Sequence, residues 1–154
     1  MTHYGPVVIQ MNTNSFKLPI WNVPPSGFPG EGPDLERLSG PGIRAFFRIA
    51  EIWGLSLEEQ TRLLGGVSKS TLQRWKNAQD AQLTEDQLER ISHVLGIYKA
   101  LQILLPTSGD TWVKAKNSEP LFQGRKGLEI MTKGGIGGLK FVRNYLDAQR
   151  GGWA

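Results

Sequence analysis

Two short apolar patterns, separated by a pair of glycines, stand in the middle of the chain. Leu57, Leu63 and Leu64 give the first segment an apolar side, and the second has Leu72 and Trp75 three residues apart. Residues at this spacing are neighbours on a helix surface. The pattern therefore predicts two short helices joined by a tight turn.

Local signals define the ends of these two helices. Ser56 and Glu59 have the spacing of a capping box. Gly65 and Gly66 can adopt positive φ and so end the first helix, and Ser68 opens the second. This arrangement predicts a helix-turn-helix.

The outer face of the second helix carries hydrogen-bond donors and positive charge but no carboxylate. In a helix-turn-helix the second helix lies in the major groove of DNA, where Gln pairs with adenine and Arg or Lys with guanine. The alternative is a helical hairpin with an ordinary solvated face. The residues predicted to bind DNA are Lys69, Ser70, Thr71, Gln73, Arg74 and Lys76.

Helical periodicity continues on both sides of this pair. Pro41 suits the first turn of a helix that runs through Trp53 and ends at Gly54. Thr84 and Gln87 form a second capping box, which opens a helix of roughly 21 residues, about 30 Å long. Its apolar stripe is wide enough to contact two neighbours, so we expect it to close the DNA-binding half and support the next.

The C-terminal third alternates short apolar segments with polar turns. Asp110 is expected to cap a short helix that holds Trp112 and Val113, and residues 128–131 form another apolar segment. Four glycines between residues 134 and 138 precede a final helix. They lack the spacing of a phosphate-binding loop, so we interpret them as positions of helix termination and close packing.

Residues 1–39 are rich in Pro, Gly and Asn and show no helical or alternating period. Such a composition is typical of a disordered leader. The alternative is an extension that packs on the folded body or on a second subunit, because it contains many apolar side chains. These are Phe16, Leu18, Ile20, Trp21 and Phe28.

Composition and charge exclude several classes of function. The 154 residues include no Cys and two widely separated His, which argues against disulfides, a zinc site and a cysteine nucleophile. No apolar run approaches the roughly 20 residues of a membrane span, and no signal peptide is recognisable, so we expect a cytoplasmic protein. His93 is interpreted as a packed or half-exposed side chain rather than a ligand or base.

The positive charge is concentrated at the C-terminal end. Residues 114–154 contain eight Lys or Arg and three Asp or Glu, a net charge of +5, whereas residues 1–113 have a net charge of −1. The helix-turn-helix half is therefore not basic as a whole. Its DNA-binding surface must be local, and we expect a homodimer to provide sufficient affinity.

Three sequence segments together resemble one family. They are LSLEEQTRLLGGVSKSTLQRW, LTEDQLERISHVLGIYKALQILLP, and a C-terminal part with Trp112, PLFQGRKGLEIM, a glycine pair and FVRNYLDAQRGGW. From about residue 40 to the end, the chain resembles the Xre/MbcA/ParS antitoxins, whose genes pair with a RES-domain toxin.

This resemblance implies a function for each half of the chain. The toxins of the family resemble ADP-ribosyltransferases and destroy cellular NAD, while the antitoxin covers the active-site entrance and represses its own promoter, usually as a dimer. Carried onto this chain, the toxin-binding positions would be Trp112, Pro120, Leu121, Phe122, Gly124, Arg125, Arg150, Gly151, Gly152 and Trp153.

The chain departs from the family pattern at two places. Family members commonly have one glycine in the helix-turn-helix turn, so the pair Gly65–Gly66 is expected to lengthen the turn and re-aim the second helix. Many relatives have Ser-Pro where this chain has Lys126–Gly127, which predicts a weaker helix start.

The sequence thus predicts an all-α protein with three parts: an N-terminal extension (1–39), a Cro/repressor-like helix-turn-helix domain (40–99) and a helical toxin-binding domain (100–154). If the extension packs on a second subunit, it is part of the dimer. The expected partners are a RES-domain toxin, operator DNA and a second copy of the chain. No cofactor, small-molecule substrate or enzymatic activity is expected, because no acid–base pair or nucleophile set is recognisable. The alternative function is a stand-alone transcriptional repressor whose C-terminal half only dimerises.

Overall fold

Apolar residues at helical spacing form helices throughout residues 34–151, the part of the chain that the computed structural model describes. The seven α-helices of this part are α1 (Leu35–Trp53), α2 (Leu57–Leu63), α3 (Lys69–Ala78), α4 (Glu85–Leu104), α5 (Gly109–Trp112), α6 (Gly127–Lys133) and α7 (Gly135–Gln149), with one 3-10 turn at Pro120–Phe122. Between residues 34 and 151 the only β-type pairing is an isolated bridge from Lys116 to Lys126. The predicted all-α class is confirmed.

Helix α1 begins six residues earlier than predicted. Asp34 caps it by accepting a hydrogen bond from the backbone N–H of Arg37 at 3.1 Å, and Pro41 lies inside the helix. The predicted start at Pro41 is therefore wrong, because an Asp cap upstream of Leu35 outweighs the preference of proline for a first turn.

Helix α4 is the centre of the fold. It spans 20 residues, close to the predicted length, and both α1 and α7 pack against it. Its capping box is confirmed by reciprocal hydrogen bonds between Thr84 and Gln87, at 2.9 and 3.1 Å. The fully buried side chains of α4 include Ile91, Val94 and Ile97, so the predicted contact with two neighbours is confirmed.

One hydrophobic core runs through both predicted halves of the chain. It extends from Ile43 in α1 to Leu146 in α7. The ammonium of Lys114 also donates to the carbonyl oxygen of Gly54, which ties the C-terminal part to the end of α1. The boundary predicted at residue 99 stays a prediction, and the N-terminal extension lies almost entirely outside the described residues.

The short helix α5 differs from its prediction. Ser108, not Asp110, occupies the capping position, and no side-chain capping bond forms there. Asp110 instead accepts a hydrogen bond from the side-chain amide of Gln102 in α4, at 2.9 Å. This tertiary contact takes the carboxylate away from the helix end.

Glycines at the start of α7 allow α6 and α7 to touch through their backbones. A Cβ atom at Gly138 would lie 2.1 Å from the carbonyl oxygen of Ile130 in α6, far closer than any real contact. At Gly134 the same oxygen would be 2.7 Å away. The interpretation of this segment as a site of close packing is confirmed at these two glycines.

Arg143 connects α7 to α4 at a half-buried site. Its guanidinium lies 3.4 Å from the carbonyl oxygen of Ser92 and 3.3 Å from Nδ1 of His93. It also occupies the space above Gly96, where a Cβ would be 2.5 Å from the arginine Nε. The other imidazole nitrogen of His93 lies 3.3 Å from the carboxylate of Glu89. A neutral His93 that accepts from Arg143 and donates to Glu89 satisfies both contacts.

Replacement of Gly138 tests the close packing of α6 on α7. Gly138→Ala should lower the free energy of unfolding by about 2–3 kcal/mol, because the added carbon collides with a backbone oxygen that has little room to move. Gly137→Ala is the matched control: no atom lies within 4 Å of its added carbon, so it should raise stability by up to about 1 kcal/mol. Thermal or denaturant unfolding measures both, and equal effects of the two changes would contradict the packing.

The environment of His93 predicts how stability depends on pH. Burial lowers the pKa of His93 below its ordinary value of 6.5, the charges of Arg143 and Lys140 act in the same direction, and Glu89 opposes them. The unfolded chain therefore binds a proton more readily than the folded chain.

We expect the contribution of neutral His93 to be complete above about pH 6.5 and to be lost as the pH falls through this value towards the lowered pKa. Unfolding measured between about pH 7 and 5 should show a smaller loss of stability in His93→Gln than in the wild type. Identical pH profiles would show that His93 is not perturbed by folding.

Candidate DNA-binding and partner-binding surfaces

Helix α2 begins as the sequence predicts. The backbone N–H of Glu59 donates to the Ser56 hydroxyl at 3.0 Å, and the N–H of Ser56 donates to the Glu59 carboxylate at 2.8 Å. This confirms the capping box. Leu63 and Leu64 are buried, as predicted for the apolar side of this helix, but Leu57 is 42% exposed. The side chain of a first helical residue tilts towards the N-terminus, which takes Leu57 away from the core.

The turn after α2 uses both glycines. Gly65 has φ of 87° and Gly66 has φ of 91°, as predicted. The N–H of Gly66 donates to the carbonyl oxygen of Thr61 at 2.7 Å, and the N–H of Gly65 donates to that of Arg62 at 3.1 Å. These are the two bonds of a Schellman motif. The pair of glycines thus closes α2 and directs the chain towards α3.

Helix α3 is anchored at its start and along one face. Ser68 caps it by accepting from the N–H of Thr71 at 3.1 Å, as predicted. Leu72 is fully buried and Trp75 is 8% exposed, so these two side chains fix the helix on the body. The main helix contact of α3 is with α2, which leaves the opposite face to solvent.

The predicted DNA-binding residues divide into two groups. Ser70, Gln73 and Arg74 lie together along one shallow groove on the exposed face, and Lys69 is exposed beside them. Thr71 is half-buried, and its hydroxyl accepts from that of Ser68 at 2.9 Å. The first group can reach a DNA groove directly.

The position of Lys76 on α3 predicts a fully exposed side chain, but the side chain is half-buried. Its ammonium lies 5.5 Å from the centre of the Phe47 ring in α1, a distance at which a cation is attracted to an aromatic face. Lys76 therefore packs partly against the body. Its role in DNA binding stays a prediction.

Asn77 belongs to the exposed face but was not among the predicted residues. It lines the same groove as Ser70, Gln73 and Arg74, and the amide of Gln73 donates to the Asn77 side-chain oxygen at 3.0 Å. The signal that identifies it is its spacing, since residues four apart share a helix face.

A cluster of aromatic rings organises the second candidate surface. Phe122 is fully buried, and its ring contacts three others edge to face. The centroid distances are 5.7 Å to Trp112, 5.7 Å to Phe141 and 4.9 Å to Tyr145. Such pairs add to the stability gained from burial, so Phe122 holds α5, the 3-10 turn and α7 together.

Two predicted toxin-binding residues, Trp112 and Phe122, are members of this cluster, and four others stand close to Phe122 in the chain. Leu121 is 65% exposed. Pro120, Gly124 and Arg125 are also exposed, and Trp112 is half-buried. Phe122 differs, because its buried side chain supports the surface from within. Phe141 is 37% exposed and contacts the Phe122 ring. It was not among the predicted residues, because its spacing in the last helix does not distinguish it from core residues.

The C-terminal tail is described only in part. Arg150 lies at the end of α7, 3.7 Å from the carboxylate of Asp147, and Gly151 is exposed with φ of 75°. Gly152 and Trp153 lie outside the described residues.

The unusual Lys126–Gly127 pair has a structural reason. Helix α6 begins at Gly127 without a side-chain capping bond from Lys126, while the weaker start itself stays a prediction. A Cβ at Gly127 would lie 2.7 Å from the indole of Trp112. Glycine at this position therefore lets the Trp112 ring pack on the start of α6.

The loop beside the aromatic cluster is basic. Its two ends are brought together by the bridge between Lys116 and Lys126, and the exposed cations of this region are Lys114, Lys116, Arg125 and Lys126. Glu119 is the acidic residue of the same loop. The second candidate surface thus combines exposed apolar side chains with positive charge.

The fold and the exposed face of α3 define a helix-turn-helix protein of the DNA-binding class. Residues 34–96 match the family model of the antitoxin Xre-like helix-turn-helix domain, so this part of the chain belongs to that family, which supports a DNA-binding antitoxin or regulator. The resemblance noted in the sequence is thereby confirmed at the level of the family.

The chain is also similar to an uncharacterised protein designated y4oB from Sinorhizobium fredii (strain NBRC 101917 / NGR234). The two are 41% identical over 126 residues, which cover 80% of this chain and 95% of the relative. No solved structure matches the chain. Among the helices between residues 34 and 151, none is long and apolar enough to cross a membrane.

Proposed function

We propose that the protein is the antitoxin of a RES-domain toxin that degrades NAD, and that it also represses its own promoter as a homodimer. The observation that carries this proposal is the pairing, in one chain, of an Xre-like helix-turn-helix domain with a separate exposed apolar surface around Phe122. In the alternative of a stand-alone repressor the second surface would serve only dimerisation, and an assay of NAD consumption distinguishes the two functions.

The second surface has the properties of an interface centre. Leu121 precedes Phe122 in the chain and Phe141 contacts the Phe122 ring. Both expose large apolar side chains, and a contiguous exposed apolar patch favours a partner that covers it. Aromatic and arginine side chains are frequent interface hot spots, and Arg125 is exposed three residues after Phe122.

Charge complementarity supports a toxin as the partner. Residues 114–154 have a net charge of +5. An enzyme that cleaves NAD must bind a pyrophosphate and a cationic nicotinamide ring, so its pocket contains charged groups of its own. Basic residues around the apolar surface would pair with carboxylates at the entrance of that pocket.

The tail provides a second way to close the pocket. Arg150 is held near Asp147 at the end of α7, so the residues after it start from a fixed point. In this proposal Arg150 enters or covers the pocket, and Trp153 anchors the tail through an apolar contact.

The first experiment follows NAD consumption by the RES-domain toxin encoded beside this gene. The full chain should stop NAD loss. Leu121→Glu should weaken toxin binding by about 2 kcal/mol or more, as expected for an apolar hot spot. The matched control is Leu57→Glu, which makes the same change at an exposed leucine of the DNA-binding half and should leave inhibition unchanged.

A chain cut before Arg150 tests the tail in the same assay. We expect toxin activity to rise in the complex with the cut chain; full inhibition would assign the block to the domain body instead. If the full chain fails to stop NAD loss, the antitoxin proposal is wrong, and the alternative of a repressor with a dimerising C-terminal half takes its place.

Promoter binding is tested at Arg74. Arg74→Ala should lower affinity for the promoter DNA by about 1–3 kcal/mol, because a base-contacting arginine is lost. Arg37→Ala is the matched control: Arg37 is also exposed but lies on α1, beside Asp34. Gel-shift titration at fixed salt measures both, and an unchanged shift with Arg74→Ala would remove this residue from the recognition surface.

A further inference from the structure

Two amide side chains on the exposed face of α3 are linked before any DNA binds. The side-chain nitrogen of Gln73 donates to the side-chain oxygen of Asn77 at 3.0 Å. Both residues are exposed and line one groove with Ser70 and Arg74. The four-residue spacing places them one turn apart on the same face.

The bond leaves the recognition chemistry of Gln73 intact. A glutamine amide has two N–H donors and one carbonyl acceptor, and the contact with Asn77 uses one donor. Adenine presents an acceptor at N7 and a donor at N6 in the major groove. The second N–H and the oxygen of Gln73 match this pair.

The bond to Asn77 also restricts the Gln73 side chain before DNA binds, so that less conformational entropy is lost on DNA binding. A free glutamine side chain samples many rotamers. Fixing it in one rotamer on binding costs conformational entropy and so weakens the binding. Asn77 carries part of this ordering in the unbound protein. Lys76, the neighbouring residue, does not serve this purpose, since its ammonium is directed to Phe47.

We propose that Asn77 is a positioning residue for base recognition, which holds Gln73 in the orientation that pairs with an adenine in the major groove. The proposal rests on the promoter-binding part of the proposed function. Asn77 would influence specificity at the base pair that Gln73 contacts. It would act by positioning Gln73, without contacting the base pair itself.

The test is selection of binding sites by the full-length protein from a pool of random DNA duplexes. The wild type should select a site that contains a preferred adenine in each half, and Gln73→Ala should lose that preference. Asn77→Ala should reduce the preference at the same base pair roughly three- to tenfold, with the other positions unchanged.

Asn77→Asp separates positioning from a structural role. An aspartate keeps an oxygen that can accept from Gln73, so the adenine preference should be retained even though the added negative charge weakens binding to all sequences. Alanine is a better helix former than asparagine, and thermal unfolding should confirm that Asn77→Ala is folded.

Three results would overturn the inference alone: an unchanged preference in Asn77→Ala, a changed preference at a different base pair, or an equal loss of affinity for all sequences. If the wild type selects no sequence, the promoter-binding function is wrong and the inference fails with it. The wild-type selection therefore distinguishes the two failures.

Discussion

Helix α4 has to bury apolar side chains towards two neighbours at once. Helix α1 packs against it, and so does α7, and Ile91, Val94, Ile97 and Leu101 are all fully buried. Full burial of one such side chain contributes about 1.5–3 kcal/mol. Separation of the two halves would expose several of them, because the helix-turn-helix and the C-terminal part share one hydrophobic core.

The two candidate surfaces are positioned by different buried side chains. The exposed face of α3 is positioned by Leu72 and Trp75 against the body, whereas the aromatic surface is positioned by Phe122 at the junction of α5, the 3-10 turn and α7. The two surfaces lie on different helices and use different chemistry. One offers amides and cations to a DNA groove, and the other offers apolar side chains and cations to a protein.

The sequence predicts best those features that depend on neighbouring residues. Both capping boxes, the cap at Ser68 and the positive φ angles of the glycine turn follow from side chains within a few positions, and all are present. The features that it misses depend on distant contacts. Asp110 is turned towards Gln102, Lys76 towards Phe47, and Phe122 into a ring cluster.

The start of α1 was predicted wrongly for a different reason. Two start signals compete there, Asp34 and Pro41, and periodicity alone does not rank them. The exposed face of α3 could be predicted in large part, because a single helix carries it; the exceptions are Thr71 and Lys76, which are half-buried, and Asn77, which was not predicted. The second surface could be predicted only in part, because Phe141, which reaches it from α7, stands 20 residues after Leu121 in the chain.

The most direct test is amide hydrogen exchange of the protein alone and in the presence of the RES-domain toxin proposed as its partner. The account predicts slower exchange around residues 112–125 and along the α7 segment that contains Phe141, with no change in α3. Protection confined to α2 and α3, or no protection by the toxin anywhere in the chain, would contradict it.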